Sequence, residues 1–182
     1  GSVLNANVTS TANASLTGDL LVGGTVTALG GDATLTSATN ISGMTVGADG
    51  NIVLDANANV IDTGATATGM VTVASGDDAT DSLLNSSITA GGNVLVTLDE
   101  ELGATDITTT GSATVTANNV TNSTVDSDGA LSVIADTDVS GSTFKTDSAT
   151  DAVVTATAGS IADSGVTATA AGAVLTAGTD IS

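Results

Sequence analysis

An apolar residue set among Thr, Ser, Ala and Gly returns along this chain at a nearly fixed interval. Leu16, Leu35, Leu54 and Val73 are each 19 residues apart, and the series continues at Val96, Val115, Val133, Val154 and Leu175. A period of about 20 residues built from β-type residues is the mark of a solenoid. A second apolar position follows about six residues after the anchor, at Ile41, Val60 with Ile61, Val120, Val139, Ile161 and Ile181. A third follows about eleven residues after it, at Val26, Val46, Leu84, Ile107, Val125, Phe144 and Val166. Three short apolar segments per repeat predict three strands and three corners: an all-β, parallel β-helix with coils of about 19–21 residues. Within each segment apolar and polar residues alternate, as in Thr34-Leu35-Thr36 and Thr114-Val115-Thr116. That places the apolar member inside and the threonines outside.

The corners have columns of their own. Two residues after the anchor the chain is small, at Gly18, Ser37, Ala56, Ser75, Ala117, Ala135, Ala156 and Ala177, as a tight corner without room for a branched side chain requires. An Asn/Asp column precedes the second strand at Asn40, Asn59, Asp78, Asn119, Asp138 and Asp180. These residues tolerate the left-handed backbone, bond their own main chain at turns, and stack amide on amide along an axis. Gly30, Gly50, Gly69, Gly91, Gly111 and Gly129 close the coils, positions expected to need a positive φ. The 23-residue gap between Val73 and Val96 predicts an inserted corner loop near 75–82, and after Val133 the coils lengthen to 21 residues. The reading is a single β-solenoid domain over 1–182 with about eight to nine coils, a rod about 40 Å long at the spacing of paired strands. No amphipathic capping helix is visible at either end. This predicts a fragment or a unit that stacks end to end.

Composition narrows the picture. The chain has 182 residues, one aromatic (Phe144), no Pro and no Cys. Thin Ala and Val side chains fill a narrow tube rather than a thick sandwich, and the absence of Pro leaves every backbone donor available for a long ladder. The formal charge is −19, with Lys145 the only basic side chain. No basic track exists for a phosphate backbone or an anionic membrane surface, and no apolar run approaches a membrane span. Nucleic acid and membrane insertion are therefore excluded as partners. The opening GSVLNANV has no basic start or apolar block of a signal peptide.

Coils reading Thr-Leu-Thr-Ser…Asn-Ile…Thr-Val…Asp-Gly, followed by Asn-Ile-Val-Leu-Asp-Ala…Asn-Val…Gly, resemble the shaft repeats of filamentous-haemagglutinin-like exoproteins. They are also similar to the β-helical passengers of autotransporters. The resemblance runs from about Leu16 to Ile181 and is one of pattern. It implies a right-handed, three-faced parallel β-helix, secreted or displayed on the cell surface as part of a bacterial adhesin. Its partners would be a host or cell-surface receptor, or like subunits. It transfers no site residue.

Candidate chemistry is sparse. Without His, Cys or Tyr, the usual nucleophile and base pairs are missing, so the chain reads as a non-enzyme with no required cofactor. Asp77, Asp78 and Asp81 on the inserted loop lack the aromatic platform or basic residue that would hold a sugar. Calcium is the candidate ion. Asp126-Ser127-Asp128-Gly129 resembles half a calcium loop without the terminal Glu, and Asp77, Asp78, Glu100 and Glu101 are expected on adjacent coils near one corner, where a divalent cation would relieve their repulsion. Solvated turn acids are the plainer reading. Threonines after the anchors, at Thr17, Thr36, Thr97, Thr116, Thr155 and Thr176, suggest an ice-binding array, although Asp55, Ala74 and Ile134 interrupt it and Thr is in any case a good outward strand residue. A binding function predicts one face flatter and more regular than the others; a passive shaft predicts three comparable faces.

Overall fold

The computed structural model describes residues 1–75 and 81–182, with Ser75 described by its backbone alone. Among them every element is a strand and every strand pairing is parallel. The chain winds as a β-solenoid with three faces.

Face 1 holds nine strands in strict chain order: Ala14–Gly18, Ala33–Ser37, Ile52–Ala56, Val71–Ser75, Val94–Thr97, Ala113–Ala117, Leu131–Ala135, Ala152–Ala156 and Ala173–Ala177. Its central column is the anchor series, with Leu16 beside Leu35, then Leu54, Val73, Val96, Val115, Val133, Val154 and Leu175. All nine expected anchors therefore stack in register. Burial alternates along these strands, as in Ala33 and Leu35 inside with Thr34 and Thr36 toward solvent, the period of two that a pleated strand imposes.

Faces 2 and 3 share one hydrogen-bonded sheet that folds around a corner. In the first three turns single long strands, Ser2–Ser10, Leu20–Ala28 and Ile41–Ala48, run along both faces. From the fourth turn on the chain breaks at that corner. Face 2 then consists of Val60–Ile61, Leu83–Leu84, Glu101–Gly103, Asn119–Thr121, Val139–Ser140 and Ile161–Ala162; face 3 of Gly64–Ala67, Ser87–Ala90, Asp106–Thr109, Thr124–Ser127, Thr143–Thr146 and Gly165–Ala168. The core is the narrow space between the faces, filled by Val, Leu, Ile and Ala, with Phe144 fully buried between Val125 and Val166 in its column.

Several sequence expectations need correction. Leu84 is not the third-strand residue of its turn: it pairs with Ile61 and Gly103 on face 2, and Ile88 stands between Ala65 and Ile107 on face 3. In the Asn/Asp column the residue following Asn59 is Ser82, because Leu83 pairs with Val60 and the Ser82 N–H donates to Asn59 Oδ1. Asp78 and the heart of the inserted loop lie outside the described residues. The small-residue column admits a branched side chain once. Leu98, 4 % exposed, stands two residues after Val96, where the strand ends one residue early. The longer turn after Val133 takes its extra residues in the corner 147–151 between Thr143–Thr146 and Ala152–Ala156.

The closing glycines are required for a different reason from the one expected. None of Gly30, Gly50, Gly69, Gly91, Gly111 and Gly129 has a positive φ. Each lies against the preceding turn: a Cβ on Gly111 would fall 2.6 Å from the carbonyl carbon of Gly92, and one on Gly91 would fall 2.4 Å from the Thr68 oxygen. Close approach of coil to coil, not backbone handedness, excludes a side chain there.

Candidate functional site

Positive φ is concentrated at the corner between faces 2 and 3. Each turn has a left-handed residue there, Asn5, Gly23, Gly43, Asp62, Asn85, Ala104, Asn122, Gly141 and Asp163, with φ between 47° and 65°, and in the second turn Gly24 follows with a φ of 103°. From the fourth turn on, the next residue carries a hydroxyl: Thr63, Ser86, Thr105, Ser123, Ser142, Ser164. Each hydroxyl donates to the carbonyl two residues before it, as Ser123 Oγ does to Thr121 O at 2.9 Å and Ser142 Oγ to Ser140 O at 3.0 Å. From Ser86 onward each then accepts the N–H of the preceding turn. Thr63 N bonds Ser86 Oγ at 3.1 Å, Ser86 N bonds Thr105 Oγ1 at 3.4 Å, Thr105 N bonds Ser123 Oγ at 3.2 Å, Ser123 N bonds Ser142 Oγ at 3.1 Å, and Ser142 N bonds Ser164 Oγ at 3.2 Å. The left-handed kink breaks the backbone ladder, and this hydroxyl column repairs it inside the rod, where an unpaired amide is costly.

Two exposed corners use carboxamides and carboxylates in the same way. Between faces 3 and 1, Asp32 N–H donates to Asn13 Oδ1, Asn51 N–H to Asp32 Oδ1 and Met70 N–H to Asn51 Oδ1, at 3.0, 2.7 and 2.8 Å. The pattern resumes with Ser112 N–H on Asn93 and Gly172 N–H on Asp151. Between faces 1 and 2, Asn59 N–H donates to Asn40 and Ser160 N–H to Asp138. The side chain accepts a main-chain N–H from the next turn, so amide-to-amide stacking is secondary; Asn59 to Asn40 at 3.4 Å is the instance seen. An acceptor role suits Asp as well as Asn, which accounts physically for carboxylates such as Asp32, Asp138 and Asp151 at the corners.

Of the calcium candidates, Asp81, Glu100, Glu101, Asp126 and Asp128 fall among the described residues. Asp77 and Asp78 lie outside the described residues. Asp81 is fully buried, and its carbonyl accepts the Glu100 N–H at 3.1 Å, so those two residues do stack on successive turns. The Glu101 carboxylate accepts the Thr121 hydroxyl. In the Asp126–Gly129 segment the strand alternation turns Ser127 inward, where its hydroxyl donates to the Gly129 carbonyl. Asp126 meets Lys145 Nζ at 3.1 Å, while Asp128 stands exposed. Lys145 also reaches Asp147 at 3.3 Å. These hydrogen bonds, Asp126 first and then Asp147, raise the Lys145 pKa above its ordinary value. The Asp147 carboxyl is held below the usual carboxylate value, first by the Thr169 hydroxyl and then by Lys145. Among the described residues no three or more acidic side chains lie close enough together to hold a metal ion.

The faces are unequal. Face 1 has strands of four or five residues in all nine turns, whereas the separate strands of face 2 have two or three. Of the residues in the nine face 1 strands, Asp55 alone is charged. Its outward threonines include the ones read from the sequence, in a column where Thr36 pairs with Asp55, Asp55 with Ala74 and Thr116 with Ile134. A shallow groove of about 270 Å³ on face 3 is lined by Thr27, Leu29, Gly47, Asp49 and Thr68 among others. No family model, curated protein or solved structure matches this chain.

Proposed function

We propose that this chain is a non-enzymatic structural rod: a shaft segment of a secreted or cell-surface bacterial adhesin, or a subunit of an extracellular fibre. The observation that carries this reading is the coil-to-coil bonding. Face 1 runs through nine strands in order, and the corners carry side chains that bond main chain from turn to turn. Each turn touches only its neighbours, so bending the rod strains many aligned hydrogen bonds at once. That is the mechanics of a stiff spacer. The chemistry of the side chains agrees with it. With no His, Cys or Tyr and one Lys, the chain lacks the common catalytic pairs and offers trypsin a single site, which suits life outside a cell. Its partners are a receptor on a host or cell surface, or like subunits.

The inequality of the faces favours one addition. A passive shaft predicts three comparable faces, and face 1 is longer and more regular than face 2. The rod is thus read as a spacer with one contact face. The interruptions at Asp55, Ala74 and Ile134 weigh against an ice-ordering threonine array.

Immunogold labelling of intact source cells tests the extracellular reading. Label on surface projections or on released fibres is the expected result. Label that appears only after permeabilisation, within the cell interior, overturns it.

A further inference from the structure

We infer that face 1 is the interface through which a second copy of this chain packs, face to face, to form a closed lateral dimer. This rests on the composition and dimensions of face 1, not on where the rod is displayed.

Charge is the first argument. The chain carries −19, so two copies repel each other over most approaches. The acids lie mostly at the corners, and face 1, the face with four- or five-residue strands in all nine turns, has Asp55 as its one charged residue. Its outward side chains mix threonines with aliphatic residues, and Leu95, Ile134 and Val174 are 39 %, 38 % and 43 % exposed. Face 3 carries Asp106, Asp126 and Lys145 in its strands, and face 2, with Glu101, offers separate strands of only two or three residues. Large aliphatic side chains aimed at water from a regular, nearly uncharged sheet mark a contact surface.

Size is the second argument. Nine strands spaced about 4.8 Å apart, each about 17 Å long, make a face of about 650 Å². Two such faces bury about 1,300 Å², within the range of specific protein interfaces. The face extends through all nine turns, and a second copy presents a sheet of matching length, width and polarity. Outward side chains that are mostly Thr, Val, Ser and Ala give a low relief that two sheets can bring to about 10 Å separation. A two-fold arrangement puts the same patch on both partners and closes at two. At the rims, corner acids such as Asp32, Asp99 and Asp136 come near their counterparts, so screening of like charges strengthens the pairing as salt rises.

Sedimentation velocity between about 1 and 300 µM protein, at about 0.05 M and 0.5 M NaCl, tests this. The expected result is a monomer–dimer equilibrium that tightens with salt. The double variant Leu95→Asp/Ile134→Asp is expected to weaken dimerisation at least about tenfold at the higher salt, because it places charge in a desolvated centre. The double variant Thr89→Asp/Thr108→Asp adds the same charge to outward positions of face 3 and is expected to keep the affinity within about threefold of the parent. Far-UV circular dichroism and the unfolding midpoint establish that both variants are folded. A protein monomeric throughout at high salt overturns the inference. So does equal weakening by the two double variants, or growth past the dimer into open polymers.

Discussion

The first three turns and the six that follow make the same left-handed kink between faces 2 and 3, and they satisfy the backbone around it differently. In the early turns the strands Ser2–Ser10, Leu20–Ala28 and Ile41–Ala48 pass the kink without losing pairing: Ala6 stays beside Gly24, and Gly24 beside Met44. The left-handed residues Asn5, Gly23 and Gly43 drop out of the ladder on each strand alike, and the pairing resumes one residue later in the same register. From Asp62 onward the pairing stops, and Ser86, Thr105, Ser123, Ser142 and Ser164 supply the missing acceptor through their hydroxyls to the turn before, beginning with the Thr63 N–H. A kink of one shape thus has two solutions, one requiring the backbones to come close and the other requiring a side chain of one particular length. Ala6, Gly24 and Met44 need no polar group; Thr105 and Ser123 cannot do without theirs.

The largest effect that would break the comparison is expected at Gly24. Its φ of 103° is one that L side chains rarely adopt, and a Cβ there would sit 2.1 Å from the Ala6 carbonyl oxygen. Gly24→Ala must displace the main chain of the first turn, at a cost of about 3 kcal/mol. Hydrogen exchange in the variant should report loss of protection across the first three turns, with the later turns unchanged, since solenoid turns couple mainly to neighbours. A variant with parental protection over Leu20–Ala28 would show that the close-backbone solution is not obligatory. At the equivalent place in later turns a side chain is present in every turn, so the same addition is harmless or necessary depending on which solution the corner uses.

The complementary break is Ser123→Ala. It leaves the Thr105 N–H without its acceptor and removes the donor that Ser123 supplies to the Thr121 carbonyl. Thr105 is fully buried and Ser123 is 1 % exposed, so water does not readily replace the hydroxyl. The expected loss is about 2 kcal/mol, read as a lower denaturant midpoint with an unchanged slope. Ser123→Thr preserves the hydroxyl, as Thr63 and Thr105 do at their own turns, and should recover most of the difference. If alanine and threonine behave alike at this position, the hydroxyl column is packing and not hydrogen bonding.

How much of this was legible from sequence depended on whether a residue type had one reason to be where it is or several. Val and Leu at a period of about 19 have one, and the nine anchors stack as read. Ser and Thr have many, being common on outward strand positions, so the buried hydroxyl column was hidden among exposed threonines. The spacing hid it further, since Thr63 to Ser86 spans 23 residues and Thr105 to Ser123 only 18. The same insertion misplaced Leu84. Counting eleven residues from Val73 reaches it, but the added residues move the third strand to Ile88. The acids, too, have more than one reason to be where they are. Asp32, Asp138 and Asp151 stand where Asn would serve equally, as acceptors of a backbone N–H from the next turn, a role that composition alone does not separate from a solvated turn acid. For Gly50 or Gly111 the sequence shows that a side chain is absent without showing whether handedness or close approach excludes it, and coordinates are needed to tell the two apart.

The smallest expected effect sharpens the comparison by improving one corner. Among the left-handed residues of the column, Ala104 is the one with neither a glycine's freedom nor the short polar side chain of Asn or Asp, and its φ is 47°. A left-handed L-alanine costs about 1–2 kcal/mol, while glycine adds about 0.5–1 kcal/mol of unfolded-state entropy. Ala104→Gly should therefore stabilise the rod by about 0.5–1 kcal/mol, measured as a higher chemical midpoint. Asn85 and Asn122 hold the neighbouring places in the column, so Ala104→Asn tests the same strain without the entropy term and should raise the midpoint too. The gain should persist when Ser123→Ala is introduced beside it if the kink and its repair are independent. A gain that disappears in that background would mean that Ala104 is held left-handed by the hydroxyl of Thr105 and its neighbours, and that in the later turns kink and ladder form one cooperative unit.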